Sequence, residues 1–222
     1  MMETILESRT ISSAHWPVPK SARFAVALCF FFNGALFASW VARIPAIQTA
    51  LGLNHGTLGL TLFGVALGAL FAMPLAGWCS SRFGSRRVTQ WVAIAYCVTL
   101  PFLALAQNAP MLALALFCFG AFHGAFDVAM NAQAVAVEER YRRPIMSSFH
   151  ALWSVGGLVG AALGAIIAGA GVTPLIHFAA VAVLIGGTSI VLANPRLLNA
   201  GEAEDRQPVS YTHLTLPTIY SV

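Results

Sequence analysis

An aspartate sits near the middle of an apolar run long enough to cross a bilayer. The run covers residues 111–137, MLALALFCFGAFHGAFDVAMNAQAVAV, and within it His123, Asp127 and Asn131 are spaced four apart. On an α-helix that spacing stacks the three side chains on one slowly drifting face. A carboxylate at membrane depth costs at least ~2.5 kcal/mol on insertion scales, so it faces a bundle interior or a watery cavity rather than lipid. The group set is suited to reversible binding. It combines a carboxyl that can gain and lose a proton, an amide that both donates and accepts, and an imidazole. The alternative for the same residues is a hydrogen-bonded contact between helices.

Two further polar faces join this one. Ser147, His150 and Ser154 follow i, i+3, i+7, with Trp153 beside them, while Gly156, Gly160 and Gly164 recur every four residues away from that stripe. The glycine face is expected to pack closely on another helix, leaving the polar stripe for a cavity. Asn33 and Trp40 share a side of the first apolar run. An amide suits hydroxyls and an indole suits the apolar face of a sugar-like ligand, although Trp40 also fits a membrane-interface aromatic. The candidate set for substrate binding or coupling is thus Asp127, Asn131, His150, Asn33, His123, Ser154 and Trp40. Arg43, next to this group, is expected to snorkel to headgroups.

The elements that must position these residues are membrane helices. Of 222 residues, 58% are hydrophobic and 9% charged, against about 25% charged in a soluble domain. Mean hydropathy is +0.77. Six segments reach the ~20 residues that a bilayer requires: 22–42, 57–78, 88–106, 111–137, 145–169 and 174–193. Pro45, Gly52 and Asn54 break the chain after the first span. The expected fold class is an all-α membrane protein with six transmembrane helices.

Charge placement sets the expected orientation. Of the 12 Lys and Arg residues, Arg43 alone falls on one side of a six-span arrangement; the others flank the bundle or occupy the second and fourth connections. The positive-inside rule then puts the N-terminus and both basic loops in the cytoplasm of a multi-pass cell-membrane protein. The net charge of +4 is explained by orientation, and no aromatic-basic pattern calls for nucleic acid. Cys29, Cys79, Cys97 and Cys118 lack metal-ligand spacing and read as small apolar residues. No phosphate-binding G-x-x-x-x-G-K-S/T loop is present. Neither a metal nor a cofactor is expected.

A weak repeat organises the six spans. GVALGALFA at 64–72 and GAALGAIIA at 160–168 share six of nine positions. The offset maps the second span onto the fifth, as in a 3+3 inverted repeat, the construction of many secondary transporters. The division of the chain is then a cytoplasmic tail (1–21), a six-helix bundle (22–193) and the start of a cytoplasmic central loop (194–208). The last stretch, 209–222, changes composition to VSYTHLTLPTIYSV and resembles translated sequencing-adapter read-through. It is expected to be non-native, with the natural chain continuing into a second half missing from this sequence.

The loop between the second and third spans, Gly77-Trp-Cys-Ser-Ser-Arg-Phe-Gly-Ser-Arg-Arg87, resembles the G-x-L-A-D-R-x-G-R-R signature of the major facilitator superfamily. Gly77, Arg82, Gly84, Arg86 and Arg87 match, and Ser81 replaces the signature's aspartate. The glycines are expected to allow close helix approach and a tight turn. The resemblance implies one six-helix half of a facilitator fold, whose loop latches the two halves in the outward-open state. Gly124-Ala-Phe-Asp-Val-Ala-Met-Asn131 is similar to the fourth helix of the fucose-permease-like branch. That similarity implies that Asp127 is the protonatable or substrate-binding group, that Asn131 is its partner, and that His150 is a cavity residue. The first span has no acid to match that branch's first-helix carboxylate. Implied overall is a secondary active transporter for a small polar, sugar-like solute. A drug or metabolite efflux antiporter is the alternative, disfavoured by the lack of proline between Met146 and Gly171. A six-span intramembrane hydrolase is the remote one, since no G-x-S-x-G-type turn presents a nucleophile and no catalytic residue is assigned.

Overall fold

The computed structural model describes residues 20–199. The N-terminal tail up to residue 19 and everything from residue 200, including the stretch expected to be non-native, lie outside the described residues. The elements are α1 (Lys20–Val41), α2 (Ile44–Ala50), α3 (His55–Phe83), α4 (Ser85–Ala104), α5 (Ala109–Tyr141), α6 (Met146–Gly169) and α7 (Pro174–Thr188). A π-helical turn (Ser189–Ala193) and a 3-10 turn (Asn194–Arg196) prolong α7. No strand occurs among the described residues, and six helical stretches are long and apolar enough to span a membrane.

Each expected span is present, and local chemistry explains most of the boundaries. The Asn54 side chain accepts from the Thr57 amide at 2.8 Å, and Asn108 accepts from Met111 at 2.9 Å. These are N-caps satisfying amides that the first helical turn leaves open. Between α3 and α4 lies a single residue, Gly84, at φ +86°. A side chain there would meet its own backbone. The chain after the first span differs from expectation. Pro45 does not break it but occupies the first turn of α2, where its missing N–H costs nothing.

Two helix pairs form the frame: α3 lies along α5, and α1 along α6. Both are backbone-close contacts made possible by glycine. A Cβ at Gly68 would stand 2.0 Å from the Phe117 carbonyl oxygen, and one at Gly64 2.7 Å from that of Ala113. On α6, a Cβ at Gly156 would stand 2.0 Å from the Phe31 oxygen and one at Gly160 2.4 Å from that of Ala35. The expected glycine face therefore packs against α1. Gly64 and Gly160 begin the two copies of the repeat, and each copy is used in the same way. The second span presses on the fourth, and the fifth presses on the first.

Behind this frame α4 and α7 pack against each other, and α4 also lies along α5. The core between the helices is large and aromatic, with Phe30, Trp40, Tyr96, Phe119, Phe126, Phe149 and Phe178 fully buried. The outer faces carry Leu60, Phe63, Leu70, Phe71, Trp91, Val183 and Leu184, all exposed. Such a surface is stable in a bilayer and not in water. The protein is a multi-pass membrane protein.

Candidate functional site

The polar residues of α1, α5 and α6 meet at mid-bundle. Asn33 is wholly buried on α1. Its Oδ1 accepts from Trp153 Nε1 at 3.1 Å across to α6, and its Nδ2 has no partner among the described residues. The tight α1–α6 seam sets this pair, because Gly34 adjoins the Trp153 carbonyl with no room for a Cβ. Trp153 remains 37% exposed, so its ring covers Asn33 while showing one side outward. A polar group in hydrocarbon normally finds its partners within the protein or a ligand. Asn33 has found one for its oxygen.

On α5, Asn131 Nδ2 donates to the Asp127 carbonyl oxygen at 2.8 Å and leans on Asp127 Oδ1 at 3.4 Å. The four-residue spacing thus makes the two residues a unit. Asp127 is half-buried, with one carboxylate edge bounded by Asn131. His150 of α6 is exposed and edge-on to the Phe30 ring of α1 at 5.2 Å. His123, one turn before Asp127, stacks on Phe37 of α1 at 4.8 Å and tilts against Tyr96 of α4 at 5.4 Å. Its Nδ1 is buried without a partner among the described residues.

Ser154 and Trp40 are placed differently. Ser154 is exposed on the His150 side, but its hydroxyl donates to the His150 carbonyl at 3.2 Å. It is occupied within its own helix and touches no imidazole. Trp40 is 1% exposed and packs on Phe178 at 6.4 Å. It is buried in the core, because α1 turns that face toward α7. Arg43 does not snorkel either. It is 3% exposed, and its Nη2 donates to the Val172 carbonyl in the α6–α7 connection.

The family model of the Major Facilitator Superfamily matches residues 25–217. The chain belongs to the Major Facilitator Superfamily. Among curated proteins it is 44% identical over 163 residues to the uncharacterized transporter y4wD of Sinorhizobium fredii, covering 73% of this chain and 43% of that protein. It is 39% identical over 186 residues to an uncharacterized MFS-type transporter of Yersinia pestis, covering 83% and 48%. To the membrane protein MosC of Rhizobium meliloti it is 40% identical over 144 residues, covering 65% and 35%. The chain thus spans less than half the length of the curated relatives it matches.

The facilitator-type loop residues sit at the basic end of the bundle. Gly84 makes the turn, as expected. Gly77 makes no close approach, since a Cβ there would meet nothing within 4 Å; its expected packing role is not seen. Arg82 and Arg87 are exposed, and Arg86 donates through Nη1 to Asn199 Oδ1. Next to them is a residue the sequence reasoning missed. Gln133, 1% exposed, donates from Nε2 to Leu198 O at 3.0 Å and to Ser85 Oγ at 2.8 Å, and accepts at Oε1 from Leu198 N at 2.9 Å. One amide thereby ties the loop to the segment that follows α7. Gln90 Nε2 adds a bond to the Asn194 carbonyl at 3.0 Å. Glu138, also missed, accepts from the Ile145 and Met146 amides at 2.7 and 2.6 Å, capping α6 from the end of α5. The available signal for Gln133 was its place on α5, six residues after Asp127 and two after Asn131 in a run whose other nearby residues are apolar.

Proposed function

We propose that this bundle is one half of a secondary active transporter that moves a small polar, sugar-like solute by alternating access. The observation carrying the reading is the set of polar residues held around α1: Asn33 bonded to Trp153, His150 against Phe30, and His123 against Phe37 one turn before the Asp127–Asn131 pair. Intramembrane polar residues of this kind mark substrate or ion pathways. A second six-helix bundle supplies the opposite wall, as repeat-built transporters place substrate between their halves. Asp127 with Asn131 takes solute hydroxyls or carries a coupling proton. Trp153, linked to Asn33, offers an aromatic face, and His123 and Ser154 border the site. The similarity of residues 124–131 to the fucose-permease-like branch supports the sugar-like class. The names of the relatives support transport at the level of the superfamily. The distribution of Lys and Arg supports cytoplasmic placement of the basic loops and of both ends of the bundle.

The test is uptake of radiolabelled neutral monosaccharides and polyols by cells expressing the natural gene product. Asp127→Asn and Asn131→Ala are each expected to lower accumulation about tenfold or more, the scale of one lost charge-assisted contact. Wild-type accumulation no higher than in empty cells, or variants that accumulate like wild type, would overturn the reading.

A further inference from the structure

A second polar cluster lies at the end of the bundle opposite the basic loops, apart from the mid-bundle seam. Arg43, at the turn between α1 and α2, is 3% exposed, and His177, on the first turns of α7, is 2% exposed. Arg43 spends Nη2 on the Val172 carbonyl, but its Nε is buried with no partner among the described residues. Both ring nitrogens of His177 are buried with no partner among the described residues. Val172, which Arg43 holds, lies just before Pro174, the first residue of α7, and His177 follows on the first turn of that helix. Ala42 and Gly164 close the wall between them: a Cβ at Gly164 would meet Ala42 Cβ at 2.7 Å and His177 Cε1 at 3.4 Å.

The cluster is short of negative charge. A buried guanidinium needs a counter-charge, and a neutral carbonyl is a partial answer. The acids among the described residues are Asp127 at mid-bundle and Glu138 and Glu139 at the basic end, so among the described residues none is at hand. The start of α7 adds the same sign: it carries no side-chain cap and opens with Pro174, so its positive dipole end is unanswered.

We propose that Arg43 and His177 bind a halide-sized monovalent anion, chloride in the usual milieu, enclosed between α1, α6 and α7. Arg43 Nε–H and one imidazole N–H are its donors. Two donors and close walls suit a monatomic ion. A phosphate or sulfate needs several more donors than the cluster presents. The bound ion supplies the counter-charge that holds the α6–α7 connection against the end of α1 through Arg43 and Val172.

The experiment is a chloride-35 NMR line-broadening titration of the natural gene product in lipid nanodiscs, with gluconate as the inert balancing anion. Wild type is expected to broaden the chloride line saturably, and bromide to compete. Arg43→Lys, which keeps the charge but loses Nε–H, and His177→Phe should each weaken the midpoint about tenfold or more. Saturating chloride should raise the wild-type melting temperature by about 2–4 °C or more. Should a variant fail to fold, the wild-type titration decides alone. Absence of saturable broadening, broadening unchanged in both folded variants, or competition by phosphate but not bromide would each overturn the proposal.

Discussion

Adding one methyl group at Gly156 should loosen the bundle, whereas adding it at Gly157 should not. The Cβ of Gly156→Ala would lie 2.0 Å from the Phe31 carbonyl oxygen and 2.8 Å from its carbon. Ordinary contact begins at 3.4 Å, so α1 and α6 must separate by roughly 1.4 Å in a close-packed interior. The obstructing atoms are backbone, and no rotamer change relieves them. Gly34 and Gly160 share the same seam, so separation at one point loosens contacts along the whole face. Overpacking of this kind costs about 1–3 kcal/mol, and a backbone clash belongs at the upper end. For a chain of this size about 3 kcal/mol corresponds to a melting temperature roughly 6–12 °C lower. Gly157 has nothing within 4 Å of its Cβ position. There alanine adds helix propensity of about 0.5–1 kcal/mol and should leave the melting temperature equal or slightly higher. Thermal unfolding followed with a thiol-reactive dye suits this chain, because Cys29 and Cys97 are buried free thiols exposed by unfolding. Equal shifts for the two variants, or a Gly156→Ala protein as stable as wild type, would refute the glycine-seam argument.

Three other outcomes follow from the same contacts. Gln133→Leu leaves the buried Leu198 N–H and C=O unpaired, at about 1–3 kcal/mol per orphaned group; trypsin cleavage after Arg196 should accelerate at least tenfold, and an unchanged rate would rule the tie out. Glu138→Ala removes the acceptor for the Ile145 and Met146 amides and should lower stability by about 1–2 kcal/mol, as lost helix caps do. Glu138→Gln, which keeps an acceptor oxygen, should recover part of that in the same melting assay. Gly84→Ala forces a side chain into φ +86° and should cost about 1–3 kcal/mol; a melting temperature matching wild type would show that the α3–α4 turn can adopt another backbone path.

Much of this protein is legible in its sequence because the rules that shape it are local. Hydropathy over ~20 residues marks a membrane helix wherever its neighbours lie, and all six spans fall close to their expected limits. Helical spacing makes Asp127 and Asn131 a unit, since residues four apart touch on any helix. The glycines recurring on α6 likewise announce a close-packed face. Gly84 is recognisable as a turn because its neighbours stop one helix and start the next.

What the sequence could not decide was which side of a helix each neighbour would cover. Trp40 and Arg43 stand near Asn33 on one apolar run, yet α7 buries Trp40 and the α6–α7 connection takes Arg43. Asn33 meets Trp153 from 120 positions away, and Gln133 meets Leu198 from 65. In a chain whose helices are apolar all round, hydrophobic periodicity no longer separates core from lipid face. Only the packing of helix on helix does that. Close glycine contacts set the seams, and the seams determine which polar atoms are paired and which are not.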